Sequence, residues 1–360
     1  MKYRLFFALL ALGIAMLPVQ KGSAQDFPYQ VFERYIEPLA QRIGMPGMSA
    51  LILRNGKIAW HRGYGYSDVE NRTQATIHTP YPIGGVTQAV TGVLFGICVD
   101  RYGLNIDDLM GSHSPTFSDP GASVRHVLAH ASTGRYEYDP VKFAGLTPVL
   151  ESCIRLPFRV ATAVELFDPL GMGDSVPGLD LNRPEGIPAR ELFTEAALRR
   201  YDSVLRVAAV PYRIDRRSGR HTRSEYPSYG VDAAGGLVAS AYDLHTFEAE
   251  LDDNDNVPLD RSTLLKMWTN TELVDPVNSN LRTPMPTGLG WFVQKASGID
   301  LVWTFGHIPD AGSALIVKMP SKSLTLILLA NSDGLTAGYN LERGDVTTSP
   351  FVRIFLRLFI

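Results

Sequence analysis

Strand-like segments stand at both ends of this sequence, with a helical stretch between them. Near the N-terminus, Met48–Leu53 and Lys57–Tyr66 carry the aliphatic and aromatic residues of strands, and Asn55-Gly56 joins them. That dipeptide tolerates the positive φ that a two-residue hairpin turn needs at both central positions. Near the C-terminus, residues 290–296, 300–306, 312–319 and 323–331 repeat the strand pattern, and Pro320-Ser321-Lys322 makes the last turn. A single hairpin is marginal in water, so the N-terminal pair must find further strands. The arrangement that satisfies both ends is one antiparallel sheet flanked by helices, an α+β fold with a large helical insertion.

The helical periodicity falls where that arrangement needs it. Residues 29–43 place Val31, Phe32, Tyr35, Ile36, Leu39 and Ile43 on one side of a helix. Helices are also expected over 86–101, 123–130, 146–155, 241–251 and 262–268, with a closing helix over 352–358. Residues 158–230 are dense in Pro, Gly and Arg and read as loop-rich, with no helix expected there. No Pro/Ser-rich spacer divides the chain. One domain is therefore expected over 25–360, with the sheet part at about 25–84 and 286–360 and the helical part at about 85–285. The residues are 45% hydrophobic and 20% charged, with 34 basic against 37 acidic side chains and a net charge of −3. This excludes a disordered chain and argues against nucleic acid as a partner.

The first residues belong to a different category. Lys2 and Arg4 precede the unbroken apolar run Leu5–Leu17, Pro18 ends it, and Gly22-Ser23-Ala24 offers small residues before Gln25. This is the pattern of a signal peptide over residues 1–24, and it predicts an exported protein, periplasmic or secreted. The run falls short of the roughly 20 residues that span a bilayer, so no transmembrane segment is expected after cleavage. In an oxidising compartment Cys98 and Cys153 either pair or stay as buried thiols. Two cysteines make no tetrahedral thiolate site.

Other candidate sites are weak. His126 and His130 have the i, i+4 spacing of a zinc-binding helix, but Val127-Leu128-Ala129 lacks the glutamate of that motif. Asp252-Asp253-Asn254-Asp255-Asn256 lacks the glycine and distal glutamate of a calcium loop. No metal and no cofactor is expected. Arg213, Arg216, Arg217, Arg220 and Arg223 crowd one apparent hairpin, which reads as a solvated surface or as a patch for an anionic ligand.

A series of segments, in order, resembles one family. Gly63-Tyr64-Gly65-Tyr66 and Thr79-Pro80-Tyr81-Pro82-Ile83-Gly84 are similar to the approach to its nucleophile. Val124-Arg125-His126-Val127-Leu128-Ala129-His130-Ala131-Ser132 and Ala233-Ala234-Gly235-Gly236-Leu237-Val238-Ala239-Ser240 resemble two further stretches. Gly288-Leu289-Gly290-Trp291, Gly306-His307 and Ala330-Asn331-Ser332-Asp333-Gly334 resemble its C-terminal strands. The family is the serine β-lactamase and penicillin-binding protein superfamily, in its class C β-lactamase, D-alanyl-D-alanine carboxypeptidase and esterase branch. The resemblance implies a β-lactamase/transpeptidase-like fold. It also implies a serine opening an S-x-x-K helix, a lysine base, a tyrosine that shuttles protons, and a strand-borne Lys or His motif beside the substrate.

Those positions are where this chain departs. The resemblance puts Gly85-Val86-Thr87-Gln88 on S-x-x-K, with Gly85 at the nucleophile and Gln88 at the base. Glycine has no group to attack with, and a carboxamide does not accept a proton near neutral pH. Thr87 is rotated about 200° away on the same helix. Tyr136-Glu137-Tyr138-Asp139-Pro140 puts Tyr138 on the tyrosine and Pro140 on an asparagine. His307 continues into Ile308-Pro309-Asp310, where Pro309 lacks the N–H of a regular edge strand. Tyr138 reads either as a site residue or as a packed aromatic, and His307 either as a pocket residue or as a strand-end histidine. The pocket candidates are thus Gly85, Gln88, Tyr138, His307 and Asp310.

Two functions follow. One is a non-catalytic member of the family that binds a peptide, a peptidoglycan fragment, a small ester or amide, or a protein partner. The other is a working hydrolase, of esterase, β-lactamase or D-Ala-D-Ala peptidase type, that uses a different residue.

Overall fold

Helix α1 (Phe27–Ile43) leads into β1 (Gly47–Arg54), β2 (Lys57–Asp68), β3 (Thr73–Gln74) and β4 (Tyr81–Pro82) in the computed structural model. Then come α2 (Thr87–Tyr102), α3 (Met110–His113), α4 (Val124–Leu128), α5 (Pro140–Ala144), α6 (Thr147–Ile154), α7 (Phe158–Thr162) and α8 (Glu195–Arg206). The hairpin β5 (Tyr212–Asp215) and β6 (Arg220–Arg223) precedes β7 (Val238–Ala239), α9 (Ala241–Asp253) and α10 (Arg261–Met267). Next are β8 (Glu272–Val274), β9 (Arg282–Pro284), β10 (Phe292–Ala296), β11 (Ile299–Ile308), β12 (Gly312–Met319) and β13 (Leu324–Ala330), and α11 (Pro350–Phe359) closes the chain. The structure describes residues 27–181, 189–228, 230–253, 257–274 and 282–360. The signal segment expected over 1–24, and residues 254–256 of the acidic loop, lie outside the described residues.

The two ends of the sequence build one antiparallel sheet in the order β10-β11-β12-β13-β1-β2-β3. The junction is β1 against β13, with Leu51 opposite Ile327. Strand period 2 sorts the side chains between two cores. Ala50, Ile52, Leu326 and Leu328 pack with Phe32 and Ile36 of α1 and Phe351 and Phe355 of α11. Leu51, Leu53, Ile327 and Leu329 pack on the other face with Val90, Val93 and Leu94 of α2. A slip of one residue would exchange the two sets, so the buried faces fix the register. The β1–β2 turn has Asn55 at φ 52° and Gly56 at φ 70°, the conformation that Asn-Gly favours.

Two local expectations change. Residues 158–230 are not all loop, because α8 lies within them. Thr194 accepts a hydrogen bond from the Ala197 N–H, and Tyr201 and Val204 bury one side of the helix. The helix expected over 123–130 stops at Leu128, and His130 has a left-handed φ of 53°. His126 and His130 therefore do not share a helix face. Among the described residues no cluster of three or more His, Cys, Asp or Glu side chains is placed to hold a metal. The basic hairpin is β5–β6, and three of its arginines face acids: Arg213 with Asp310, Arg216 with Asp333 and Arg223 with Glu70. Among the described residues no helix is long and apolar enough to cross a membrane.

The cysteines are paired. Cys98 of α2 and Cys153 of α6 form a disulfide across a sequence separation of 55 residues. Closing a loop of that size removes conformations from the unfolded chain and stabilises the fold by about 4 kcal/mol. The double variant Cys98→Ala/Cys153→Ala should lose about 2–5 kcal/mol in denaturant unfolding. Equal midpoints and slopes for the two proteins would contradict this role.

Candidate functional site

The site is built where α2 begins. Ile83-Gly84-Gly85-Val86 turns from β4 into the helix, and β4 is held by pairing of Tyr81 with Ala239 and Pro82 with Val238 of β7. This entry lies against β11. A Cβ on Gly306 would stand 1.9 Å from the Ile83 carbonyl oxygen, and one on Gly84 would stand 3.1 Å from the Gly306 Cα. The close approach of the helix start to the strand thus requires glycine at 306. β11 also outruns its outer neighbour, since β10 pairs with it only as far as Trp303. Its last residues, through Ile308, face the helix start on that side.

Beside this junction is a cavity of about 640 Å3. Gly85, Gln88, Tyr138 and His307 all line it, together with Phe305, Ile308, Pro309, Pro140, Tyr226, Asp232 and Glu342. Asp310 does not. It sits in the β11–β12 turn at φ 58°, exposed and paired with Arg213 at 3.5 Å. Pro309 is the first residue of that turn and not a strand residue, so its missing N–H breaks no ladder. Pro140 occupies the first position of α5, where no intrahelical donor is needed. Asp139 caps the helix by accepting from the Val141 and Lys142 N–H groups.

Gly85 is enclosed. A Cβ there would lie 2.7 Å from the Phe305 carbonyl oxygen and 2.9 Å from Tyr138 Oη. Gln88, one helical turn on, is buried between two rings. Its Oε1 is 3.0 Å from His130 Nε2, and its Nε2 donates to Tyr138 Oη at 3.3 Å. The His130 ring lies tilted 4.6 Å from the Tyr138 ring and stacked 5.0 Å from Phe143. Burial pulls the His130 imidazole down to about 3, so it is neutral at ordinary pH. Tyr138 packs 5.2 Å from Phe305. Burial raises its phenol above the usual tyrosine value, and the bond from Gln88 only partly offsets this. The His307 Nδ1 is 2.9 Å from Thr336 Oγ1. Partial enclosure lowers this imidazole, against the pull of Asp333, Glu342 and Asp310. Asp232 accepts from the Ala234 and Gly235 N–H groups, and burial raises its carboxyl.

No serine, threonine, cysteine or lysine lines the cavity among the described residues. The arrangement presents a phenol, an imidazole and an apolar wall, with no serine or threonine hydroxyl and no thiol. Sequence reasoning did not find the part played by His130. The His126 spacing drew attention to it for the wrong reason, and its contact with Gln88 depends on the backbone turn at 130.

Comparison with known proteins gives a family match and several partial likenesses. The family model described as Beta-lactamase matches residues 32–345. Protein flp of Staphylococcus aureus (strain NCTC 8325 / PS 47) is 36% identical over 109 residues, 29% of this chain and 22% of that protein. The teichoic acid D-alanine hydrolase of Staphylococcus aureus (strain MRSA252) is 26% identical over 121 residues, 33% of this chain and 29% of that protein. The chain thus matches less than a third of the length of these relatives. Among solved structures, the octameric penicillin-binding protein homologue from Pyrococcus abyssi superposes with a TM-score of 0.68 at 20% identity, covering 85% of this chain and 74% of that one. The crystal structure of SurE gives 0.65 at 21% identity, with coverage of 93% and 77%. At these identities the structures speak to the fold alone.

Proposed function

This chain belongs to the β-lactamase family, and from that premise we propose that it is a non-catalytic member that binds a peptide, a cell-wall fragment or a small ester or amide. The observation that carries the reading is at the start of α2, where Gly85 and Gln88 stand at the positions the family resemblance gives to the nucleophile and its base. Among the described residues no serine, threonine, cysteine or lysine lines the cavity in their place. The two groups act as one unit in catalysis, and losing a nucleophile of this kind costs on the order of 10⁶ in turnover. A cavity of about 640 Å3 opens beside these positions, which supports binding over mere loss of function. Assignment to the class C, carboxypeptidase and esterase branch rests on the motifs quoted above.

Hydrolysis through another residue would have to draw on Tyr138, His307 or the cavity carboxylates Asp232 and Glu342. Burial holds the Tyr138 phenol in its protonated form, which is a poor nucleophile. The disulfide between Cys98 and Cys153 supports export, since such bonds persist in oxidising compartments. The Lys2-to-Ala24 pattern supports the same location.

The test is turnover. The purified chain is expected to hydrolyse neither nitrocefin nor p-nitrophenyl acetate above the rate of a heat-unfolded control. Turnover that disappears on Tyr138→Phe or His307→Ala would defeat the reading and identify the working residue.

A further inference from the structure

The hydrogen bonds behind the cavity run in one direction, from the Asp139 N–H through His130 and Gln88 to Tyr138. The Asp139 backbone N–H donates to His130 Nδ1 at 3.2 Å, so that nitrogen carries no hydrogen. A neutral imidazole then carries its hydrogen on Nε2. That N–H donates to Gln88 Oε1 at 3.0 Å. The amide is thereby oriented, with its NH2 toward Tyr138 Oη at 3.3 Å. The phenol oxygen receives this bond, so its own hydrogen is left to point elsewhere. Tyr138 Oη faces the Gly85 backbone, where an added Cβ would stand 2.9 Å away, and it lines the cavity. The chain His130 to Gln88 to Tyr138 therefore ends in an O–H donor aimed at the cavity above Gly85.

The charge of the cavity adds a second constraint. Among its described lining residues there is no lysine or arginine, and there are two carboxylates, Asp232 and Glu342. Arg216 lines a neighbouring cavity with Phe305, His307 and Glu342 and pairs with Asp333, and Arg213 pairs with Asp310. The walls from Pro140, Val141, Ala144, Tyr226, Phe305 and Ile308 are apolar. An anionic ligand would lose its hydration there and meet no cation.

Resting on the non-catalytic reading, we infer that the cavity selects an uncharged carbonyl compound with an apolar body, whose carbonyl oxygen accepts the Tyr138 hydroxyl, and that it rejects the corresponding carboxylate. Gln88 is a positioning residue in this account. It acts on the ligand only through the polarity it imposes on Tyr138.

The experiment uses three probes with one apolar body: N-acetylphenylalaninamide, N-acetylphenylalanine and phenylalaninamide, each in both enantiomers. They are titrated calorimetrically into the full chain near neutral pH. The neutral amide of at least one enantiomer is expected to bind about tenfold or more tightly than its acid, a difference of one unpaired charge or donor. Tyr138→Phe, which keeps the ring, should weaken amide binding about tenfold. Gln88→Glu still accepts the His130 N–H but would also accept a hydrogen bond from the Tyr138 O–H and turn it away from the cavity, so it should abolish the preference for amide over acid while the chain remains folded by circular dichroism. The inference is overturned if the acid binds as tightly as the amide, if folded Gln88→Glu keeps the preference, or if none of the probes binds at millimolar concentration. Release of ammonia from the amide, followed by mass spectrometry, would defeat the non-catalytic reading instead. An inert chain that prefers the acid would defeat only the inference.

Discussion

Gly85→Ser is expected to leave the chain without hydrolytic activity and to lower its stability. The first new atom would stand 2.7 Å from the Phe305 carbonyl oxygen and 2.9 Å from Tyr138 Oη. The carbonyl belongs to the sheet backbone and does not yield cheaply. Overpacking of this kind costs about 1–3 kcal/mol. The new hydroxyl would also lack a base, because Gln88 is a neutral amide already engaged on both sides. Adding Gln88→Lys does not repair this. A lysine ammonium is only a donor, and the His130 N–H that now bonds Gln88 Oε1 would face it without an acceptor. Both variants should therefore show no burst with nitrocefin and a lower midpoint in denaturant. A Gly85→Ser protein that hydrolyses nitrocefin at unchanged stability would contradict this description of the site.

The second large effect is an acid dependence centred on His130. Its folded-state value of about 3 lies below the ordinary 6.5, so the unfolded chain takes up the proton first. Stability from this group is fully present above about pH 6.5 and is lost as pH falls toward 3. The loss is at most about 5 kcal/mol. Asp243 acts in the opposite sense. Burial raises its carboxyl to about 6, so it becomes less unfavourable as pH falls below that value. Comparing wild type with His130→Asn cancels Asp243 and the other histidines, which both proteins share. The wild type should lose more stability than the variant between pH 7 and pH 4. Parallel pH dependences would contradict the buried, neutral state of His130.

The sheet was legible because its strands carry their pattern locally. Asn55-Gly56 names its own turn, and the apolar runs of β12 and β13 leave no face for solvent. Helix α8 was not legible in the same way. Five of its twelve residues are charged and it buries only Tyr201 and Val204, so the Pro, Gly and Arg around it outweighed a weak apolar stripe. The pairing of Cys98 with Cys153 depends on how α2 and α6 meet, which neither local context reveals. Within the site, the residues on or beside recognisable motifs, Gly85, Gln88, Tyr138 and His307, line one cavity. Asp310 follows the same strand but turns outward, because the hairpin bends at Pro309. Tyr226, Asp232 and Glu342 reach the cavity from segments far apart in sequence, and only the tertiary fold brings them there.

The described walls of this cavity carry no serine, threonine, cysteine or lysine, and its tyrosines, histidine and carboxylates are expected not to act as nucleophiles. Intact-mass spectrometry after prolonged incubation with a fluorophosphonate, and separately with a fluorescent β-lactam, measures this directly. The predicted result is an unchanged mass with both reagents. A stoichiometric adduct that maps to one cavity residue, and is absent from the unfolded chain, would contradict it.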